Sequence, residues 1–339
     1  MQKAHRVTLL RGAILAISLW TLAACATAVG EGGTAAERSL VEVSPGMHTL
    51  RGPAADFDPA NASVDLRLPP GRRASPLIIF VHGGGGARDS LAAMAAFHAA
   101  GIAVLGFDAY RMNGFDRDWR FWVRNMTYEA RQRMIYVAAL GAYRWAVTQP
   151  GIDAGRIYLY GLSNGADVVA NLAAVVDPKH VRVAFAEGLA GAGLGLPNDL
   201  RVPLRAIFGR QDNYAGQTAD DVRWLRRVPC FLNIESFDRP PGNAAACNAA
   251  INPRSTTQSP ADWVAAQKAK GADVDIWFYE NAAHGIFTGP LRLQMMQWPG
   301  RLAHASVGAD DAARAALRAD VLSLISQSYL MMLIFSHLM

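Results

Sequence analysis

The sequence predicts an α/β protein with a mostly parallel central sheet and helices on both faces. Short apolar runs typical of buried strands alternate with segments of helical periodicity, and the links between them are short, as in repeated β-α-β units. The composition agrees, because 51% hydrophobic and 18% charged residues suit a chain with a sizeable core and exclude a disordered one. A length of 339 residues allows one large domain or two ordinary ones.

The first 25 residues have the layout of a secretory signal peptide. Basic residues come first, then an apolar run from Gly12 to Trp20 that is too short to span a bilayer, then small residues. The sequence LAAC, from Leu22 to Cys25, resembles the bacterial lipoprotein signal, in which the cysteine is lipidated and becomes the mature N-terminus. The alternative is cleavage after Ala26-Thr27-Ala28, which would release a soluble chain starting at Val29.

The remaining chain is predicted to form a tether followed by one domain. Residues 26–40 lack periodicity and are expected to be a flexible tether, and residues 41–339 are expected to form a single α/β domain. The net charge of +5 falls to +2 after the leader, where 30 basic residues face 28 acidic ones. So small a bias predicts no nucleic-acid partner. Membrane contact is expected only through the lipid anchor, which predicts an exported protein of the periplasm or outer membrane.

The predicted elements follow one another in a regular order. The strand candidates are Ser63–Pro69 (part of a leading antiparallel pair), Leu77–Val81, Ile102–Tyr110, Arg156–Gly161, Val181–Ala190, Val202–Gly209 and Val274–Glu280. The helix candidates are Asp89–Ala100, Tyr128–Thr148, Asn164–Val176 and Asp310–Ser328. The apolar stretch after the last helix is too short for a membrane span, and we expect it to pack on the domain as helix or strand.

Residues 228–260 interrupt this order. They are rich in Pro, Asn and Ser without a clear period, and an insertion of that length is usually functional or a lid. Cys230 and Cys247 lie within it and would form a disulfide in an oxidising compartment; the alternative is two buried free thiols. No CxxC or HxxxH spacing suggests a metal site, so we expect neither metal nor cofactor.

The sequence GLSNG, from Gly161 to Gly165, places Ser163 between a strand and a helix. A nucleophilic serine on such a turn needs small residues on both sides, so that strand and helix approach closely while the serine adopts a strained backbone. The helix N-terminus then directs N–H groups at charge developing on a substrate. The alternative is an ordinary turn between strand and helix, which would not require glycine at both flanking positions.

A serine nucleophile needs a base and an acid that orients it. His284 follows the last strand candidate and is the predicted base. Asp212 follows the preceding strand and is the predicted acid; Glu187, at the end of the strand before, is its main competitor, and Asp220 or Asp221 more naturally open a helix.

A glycine run follows the first long buried strand. The N–H groups of Gly83 and Gly84, within the run His82 to Gly86, would form an oxyanion hole with the N–H of Asn164. The run lacks the lysine and Ser/Thr of a phosphate-binding P-loop. We expect His82 to be a structural hydrogen-bonding residue rather than a base.

The segment from Pro76 to Phe287 resembles the α/β-hydrolase superfamily and, within it, the dienelactone-hydrolase-like branch. The stretches that carry the resemblance are FDAYRMNG, RWAVTQPGIDAGRIYLYGLSNGA, VPLRAIFGRQDNY and YENAAHGIF. The resemblance implies a hydrolase with Ser163 as nucleophile, Asp212 as acid and His284 as base. Three features depart from the branch: its name-giving enzymes use cysteine where this chain has Ser163, Ala166 replaces a frequent second glycine, and the 228–260 insertion is long.

The function predicted is hydrolysis of carboxylic esters, small or polymeric, through an acyl-enzyme. Arg111, Arg210 and Tyr214 are weaker candidates for binding a substrate carboxylate or oxygen, since surface arginines are usually only solvated. Two alternatives stay open: a peptidase or amidase like the prolyl-oligopeptidase relatives, and a non-catalytic surface lipoprotein that uses the fold for binding.

Overall fold

The computed structural model describes residues 40–44, 47–50, 57, 63–71, 74–113, 128–191, 193–212, 260–298 and 301–338. All of them belong to one compact unit, Leu40–Met339. Several features predicted from the sequence lie outside the described residues: the leader with Cys25, nearly all of the tether, the candidate Tyr214, the competitors Asp220 and Asp221, and almost the whole 228–260 insertion with Cys230 and Cys247.

Among the described residues, seven strands form the central sheet in the order β3-β5-β4-β6-β7-β8-β9. Every neighbouring pair is parallel except β3 with β5, so the predicted mostly parallel sheet is confirmed. The strands are β3 (Val64–Arg67), β4 (Ser75–Val81), β5 (Ala103–Phe107), β6 (Ile152–Leu162), β7 (Val181–Glu187), β8 (Leu204–Gly209) and β9 (Val274–Tyr279).

Strand β4 shows why the sheet is buried on both faces. All seven of its residues are buried. Leu77, Ile79 and Val81 belong to one hydrophobic cluster, and Ile78 and Phe80 belong to the other. Because successive side chains point to opposite faces of a sheet, a continuous apolar run supplies a core on each side.

The helices cover both faces of the sheet, as predicted. They are α1 (Leu91–Ala99), α2 (Ala109–Met112), α3 (Tyr128–Ala146), α4 (Asn164–Ala173), α5 (Pro260–Ala269) and α6 (Asp311–Leu338). Side chains of α3, α4 and α5 pack in the cluster that contains Leu77, and side chains of α1 and α6 pack in the cluster that contains Ile78. The carboxyl ends of the parallel strands therefore open at one edge of a three-layer structure.

Several predicted strands differ in detail: β6 begins at Ile152 rather than Arg156, and β7 ends at Glu187 rather than Ala190. The strand expected over Ile102–Tyr110 ends at Phe107, because the Asp108 side chain accepts hydrogen bonds from the N–H groups of Tyr110 and Arg111 and caps the short helix α2. The strand expected over Ser63–Pro69 is β3, and its antiparallel partner is β5 rather than another leading strand.

Two hairpins were not predicted. β1 (Leu40–Ser44) pairs with β2 (Met47–Leu50), and β10 (Arg292–Trp298) pairs with β11 (Arg301–Val307). In both, the sequence between the strands reads Pro-Gly, a dipeptide that marks turns and would have signalled them. Helix α6 runs ten residues past its predicted end, to Leu338, in keeping with a sequence free of Gly and Pro after Gly308. None of the helices in the described part of the chain could span a lipid bilayer.

Candidate active site

Ser163 occupies a strained turn between β6 and α4. Its backbone angles are φ 56° and ψ −117°, and only one other non-glycine residue in the described part of the chain, Asn281, has a positive φ. Such a conformation costs about 1–3 kcal/mol and persists only where the surroundings enforce it. Here the N–H of Ser163 donates to the carbonyl of Glu187 at 2.8 Å, so the neighbouring strand β7 helps to hold the turn.

The two flanking glycines let strand and helix meet. A Cβ at Gly161 would lie 2.1 Å from the carbonyl oxygen of Gly165, and a Cβ at Gly165 would lie 2.1 Å from that of Val81. Real Cβ atoms do not approach backbone oxygen so closely, so both positions accept only glycine.

The Ser163 hydroxyl is not used as a helix cap. Serine is among the preferred residues at the position before a helix, where its oxygen normally accepts an N–H from the first turn. Ser163 stands at that position of α4 but makes no side-chain capping hydrogen bond. An ordinary structural turn would favour the cap and avoid the positive φ, so the local geometry argues against the structural alternative.

His284 and Asp212 are hydrogen-bonded to each other. Nδ1 of His284 lies 3.0 Å from Oδ2 of Asp212, and both side chains are largely buried. Asp212 follows β8 and donates its own N–H to the carbonyl of Gly209. His284 follows β9, and its backbone is held against β11 through bonds with Ser306 and Gly308. The two loops therefore bring together residues far apart in the sequence.

The surroundings favour a charged imidazole. Burial alone would lower the pKa of His284, but the charge and hydrogen bond of Asp212, with the charges of Glu187 and Asp89, outweigh burial, and the pKa is raised above 6.5. Three carboxylates thus stabilise the protonated form that a general base must pass through.

The end of β7 lies between Ser163 and His284. Glu187 accepts the N–H of Ser163 through its carbonyl, and a Cβ at the next residue, Gly188, would lie 2.8 Å from Cε1 of His284. Because β6, β7, β8 and β9 are consecutive in the sheet, Ser163, Asp212 and His284 all follow strand ends at the same edge.

Glu187, the competing acid, is engaged elsewhere. Its side chain is buried and accepts the hydroxyl of Tyr160 at 2.5 Å through Oε2 and the N–H of Ile286 through Oε1. Burial raises the pKa of Glu187, and these two donors counteract part of that effect. The hydrogen bond to Nδ1 of His284 is made by Asp212, the preferred candidate.

The glycine loop after β4 is anchored at several points. His82 is fully buried, with Nδ1 2.7 Å from the carbonyl of Gly83, and its Nε2 accepts the N–H of Ala109 at 3.0 Å. These partners require the proton on Nδ1, which gives His82 the structural role predicted for it.

Two aspartates hold the rest of the loop. The N–H of Gly85 donates to Oδ2 of Asp89 at 2.7 Å, and the N–H of Ala87 donates to Oδ2 of Asp108 at 3.3 Å.

These anchors leave the first part of the loop beside the serine. A Cβ at Gly83 would lie 3.3 Å from Cβ of Ser163, and a Cβ at Gly84 would lie 3.4 Å from Nδ2 of Asn164. Within the described residues, the N–H groups of Gly83, Gly84 and Asn164 have no protein acceptor. They are therefore candidate donors beside the nucleophile turn, where α4 adds the positive end of its dipole.

A buried polar network fixes the segment after β7. Oδ1 of Asp167 accepts the N–H groups of Ala190 and Gly191 at 2.9 and 2.8 Å, and its Oδ2 accepts Nε2 of Gln132 at 2.7 Å. Oε1 of Gln132 in turn accepts the N–H of Leu194 at 2.8 Å. The glycine-rich chain beside His284 is thereby tied to α3 and α4.

Sequence reasoning missed Asp89 and Asp108 as supports of the loop. The sequence pattern predicts Asp89 only as a helix start, although an acid three residues after a glycine run can bind the N–H groups that the run exposes. Asp108 was assigned to a strand, although Asp directly after a buried run is a common cap.

Of the three candidate substrate-binding residues, Arg111 and Arg210 lie in the described part of the chain, and Tyr214 lies outside it. Nε of Arg210 lies 3.3 Å from Oε1 of Glu280, and its guanidinium lies 4.0 Å from the ring centre of Phe278, so Arg210 is engaged at the surface. Arg111 is exposed on α2. Among the residues described, no group of three or more His, Cys, Asp or Glu could hold a metal ion.

No protein-family model and no curated protein matches the chain. Several solved structures do match it. A dienelactone hydrolase from Anabaena variabilis is 15% identical, with 75% of this chain and 88% of that chain covered and a TM-score of 0.39. Est1E from Butyrivibrio proteoclasticus, with ferulic acid bound, is 14% identical, with 78% and 95% covered and a TM-score of 0.43.

An acylaminoacyl peptidase from Pyrococcus horikoshii is 16% identical over 66% of this chain, which spans only 35% of that protein, with a TM-score of 0.42. The fold follows from the chain's own strand order and turns. With a parallel sheet ordered β5-β4-β6-β7-β8-β9, helices on both faces and a strained serine turn after β6, the chain has the α/β-hydrolase fold.

Proposed function

We propose that this protein is a serine hydrolase that cleaves carboxylic esters through an acyl-enzyme intermediate. The observation that carries the proposal is the hydrogen bond between His284 and Asp212 at the sheet edge where Ser163 occupies a strained turn. A serine whose hydroxyl does not cap its helix, at the same sheet edge as a histidine oriented by a carboxylate, supports nucleophilic catalysis.

The hydrogen bond supports Nε2 of His284 as the proposed proton-transfer atom. An ionised Asp212 can only accept, so Nδ1 of His284 carries the proton and Nε2 presents its lone pair. In the proposed first step, Nε2 removes the Ser163 proton as Oγ attacks the ester carbonyl. The imidazolium then gives that proton to the departing alkoxide, and the alcohol leaves an acyl group on Ser163.

The backbone donors next to Ser163 would bind the oxyanion. The N–H of Gly85 is already bonded to Asp89, so the donors proposed are those of Gly83, Gly84 and Asn164. In the second half of the reaction, His284 removes a proton from water as hydroxide attacks the acyl carbon. The imidazolium then returns that proton to Oγ as the acyl–Oγ bond breaks, which releases the acid product and free Ser163.

The experiment is a kinetic comparison on p-nitrophenyl esters of increasing chain length, with a p-nitroanilide as the amide arm. We expect wild type to hydrolyse at least one ester, and Ser163→Ala to lose about 10³-fold or more in kcat. Ser326→Ala is the matched control, since Ser326 is an exposed hydroxyl on α6. An inert wild type, or full activity in Ser163→Ala, would refute the proposal; turnover of the anilide alone would make the enzyme an amidase.

We also propose that the protein is exported and anchored by a lipid on Cys25. The support is the leader itself, with its basic start, short apolar run and LAAC sequence. Mass spectrometry of the mature N-terminus should find an acylated Cys25. An unmodified chain that begins at Val29 would contradict the anchor but not the export.

A further inference from the structure

Glu187 lies between the two halves of the candidate site, and the steps proposed above do not use its side chain. It is the last residue of β7, buried at 3% exposure. A buried carboxylate is costly unless it is hydrogen-bonded, so a chain retains one only with specific partners. Those partners lie on the strand that ends at Ser163 and on the loop that carries His284.

One side is the nucleophile strand. The hydroxyl of Tyr160, three residues before Ser163 on β6, donates to Oε2 of Glu187 at 2.5 Å. The backbone carbonyl of Glu187 also accepts the N–H of Ser163 at 2.8 Å. Glu187 thus binds the strand that ends in the nucleophile at two points.

The other side is the histidine loop. Oε1 of Glu187 accepts the N–H of Ile286, two residues after His284 and 99 residues from Glu187 in the sequence. Ile286 is fully buried, so this contact fixes the loop immediately beyond the imidazole. Asp212 orients the ring itself through Nδ1.

We propose that Glu187 is a positioning residue that locks the histidine loop against the nucleophile strand, and that its negative charge acts with that of Asp212 on His284. The proposal rests on the proposed function, because it assigns His284 as the base for Ser163. Tyr160 and Ile286 both donate to Glu187, so the carboxylate needs no proton of its own to satisfy them.

Other titratable groups near Glu187 and His284 determine how large the effect of the Glu187 charge on His284 is. Asp212 faces the site from the loop after β8 and Asp89 from the loop after β4, and both act on His284 in the same direction as Glu187. Tyr160 on β6 and Tyr279 on β9 also face Glu187; burial raises their pKa values far above neutrality, so both stay uncharged. Removing the Glu187 charge therefore leaves Asp212 and Asp89 in place and produces a partial shift.

The test uses two substitutions that separate the effect of the Glu187 charge from the effect of its side-chain length. Glu187→Gln keeps the size of the side chain and removes its charge, whereas Glu187→Asp keeps the charge but shortens the reach to Ile286. Asp153→Asn is the matched control, a carboxylate-to-amide change near the amino end of β6, where Asp153 pairs with Arg156. The NMR titration of His284, assigned by the signal lost in His284→Gln, requires no substrate.

In Glu187→Gln we expect the His284 midpoint to fall by about 0.5 pH unit or more, against about 0.1 unit or less in Asp153→Asn. In Glu187→Asp we expect the midpoint to stay near that of wild type, while the rate at which a fluorophosphonate modifies Ser163 at pH above the His284 midpoint falls about tenfold. A midpoint in Glu187→Gln equal to that of the control overturns the proposal.

If Glu187→Gln does not fold, Glu187→Asp decides alone, and a modification rate within about twofold of wild type overturns the proposal. The two proposals fail differently. A wild-type Ser163 that resists the fluorophosphonate removes the proposed function, while the His284 titration still reports whether Glu187 acts on the imidazole.

Discussion

Nδ1 of His284 lies 3.0 Å from Oδ2 of Asp212, although 72 residues separate the two in the sequence. The pair sits at the end of adjacent strands β8 and β9, one strand away from β7 and two from the turn that bears Ser163. Because a carboxylate can only accept, this contact leaves the lone pair of the proposed base on Nε2.

The first prediction concerns the acid. Asp212→Asn keeps the shape of the side chain but can donate to Nδ1, which would leave the proton on Nε2, the wrong nitrogen for a base. We expect kcat to fall by about 10²- to 10⁴-fold with little change in KM. The matched control is Asp199→Asn, at an exposed surface pair with Lys270. Unchanged turnover in Asp212→Asn would transfer the role of acid to Glu187.

The second prediction concerns pH. His284 must be neutral to accept a proton, and burial is outweighed by Asp212, Glu187 and Asp89, so its pKa is raised above 6.5. Activity should therefore be low at acid pH and rise through a midpoint above 6.5. A profile of kcat/KM against pH measures this midpoint. A midpoint below 6.5 would show that burial of the imidazole outweighs the three carboxylates.

The third prediction concerns the glycine loop. The Asp89 carboxylate accepts the N–H of Gly85 and lies where a Cβ on Gly83 would be 3.1 Å away, so it supports the loop that carries the proposed oxyanion donors. Asp89→Ala should lower kcat about tenfold or more, since displaced donors stabilise the oxyanion poorly. Asp89→Asn retains an acceptor for Gly85 and should lose less. Equal kcat for wild type and Asp89→Ala would exclude this supporting role.

The fourth prediction concerns stability. Gly165→Ala would place a Cβ 2.1 Å from the carbonyl oxygen of Val81, where rigid backbone lies on both sides. We expect the free energy of unfolding to fall by about 3 kcal/mol or more, since neither β4 nor α4 can move without disturbing the core. Gly151→Ala is the control, because its Cβ would meet only a Leu68 methyl group at 3.4 Å. Thermal unfolding of both variants measures the difference, and similar losses would contradict the packing argument.

Local structure can be predicted from the sequence. The turn at Ser163 is specified within five residues, and the flanking apolar runs give strand β6 and helix α4 within a few residues of their ends. The continuous apolar run of β4 likewise indicates a strand buried on both faces. Asp108 shows where such patterns mislead. The sequence predicts a strand that continues through Asp108, but the Asp108 side chain caps helix α2 instead.

Contacts between residues far apart in the sequence cannot be predicted from local sequence patterns. The bond from Ile286 to Glu187 spans 99 residues, and no local pattern distinguishes a Glu that binds a histidine loop from one that ends a strand. The hairpins β1–β2 and β10–β11 are a different case, because the Pro-Gly between their strands is a local turn signal in the sequence.

The most direct test of the account is covalent modification of Ser163. Wild-type protein treated with a fluorophosphonate and digested should carry the adduct on the peptide that contains Ser163, and His284→Gln should react at least about 10²-fold more slowly. An adduct on another residue, or equal rates for wild type and His284→Gln, would contradict the assignment of Ser163 as a nucleophile activated by His284.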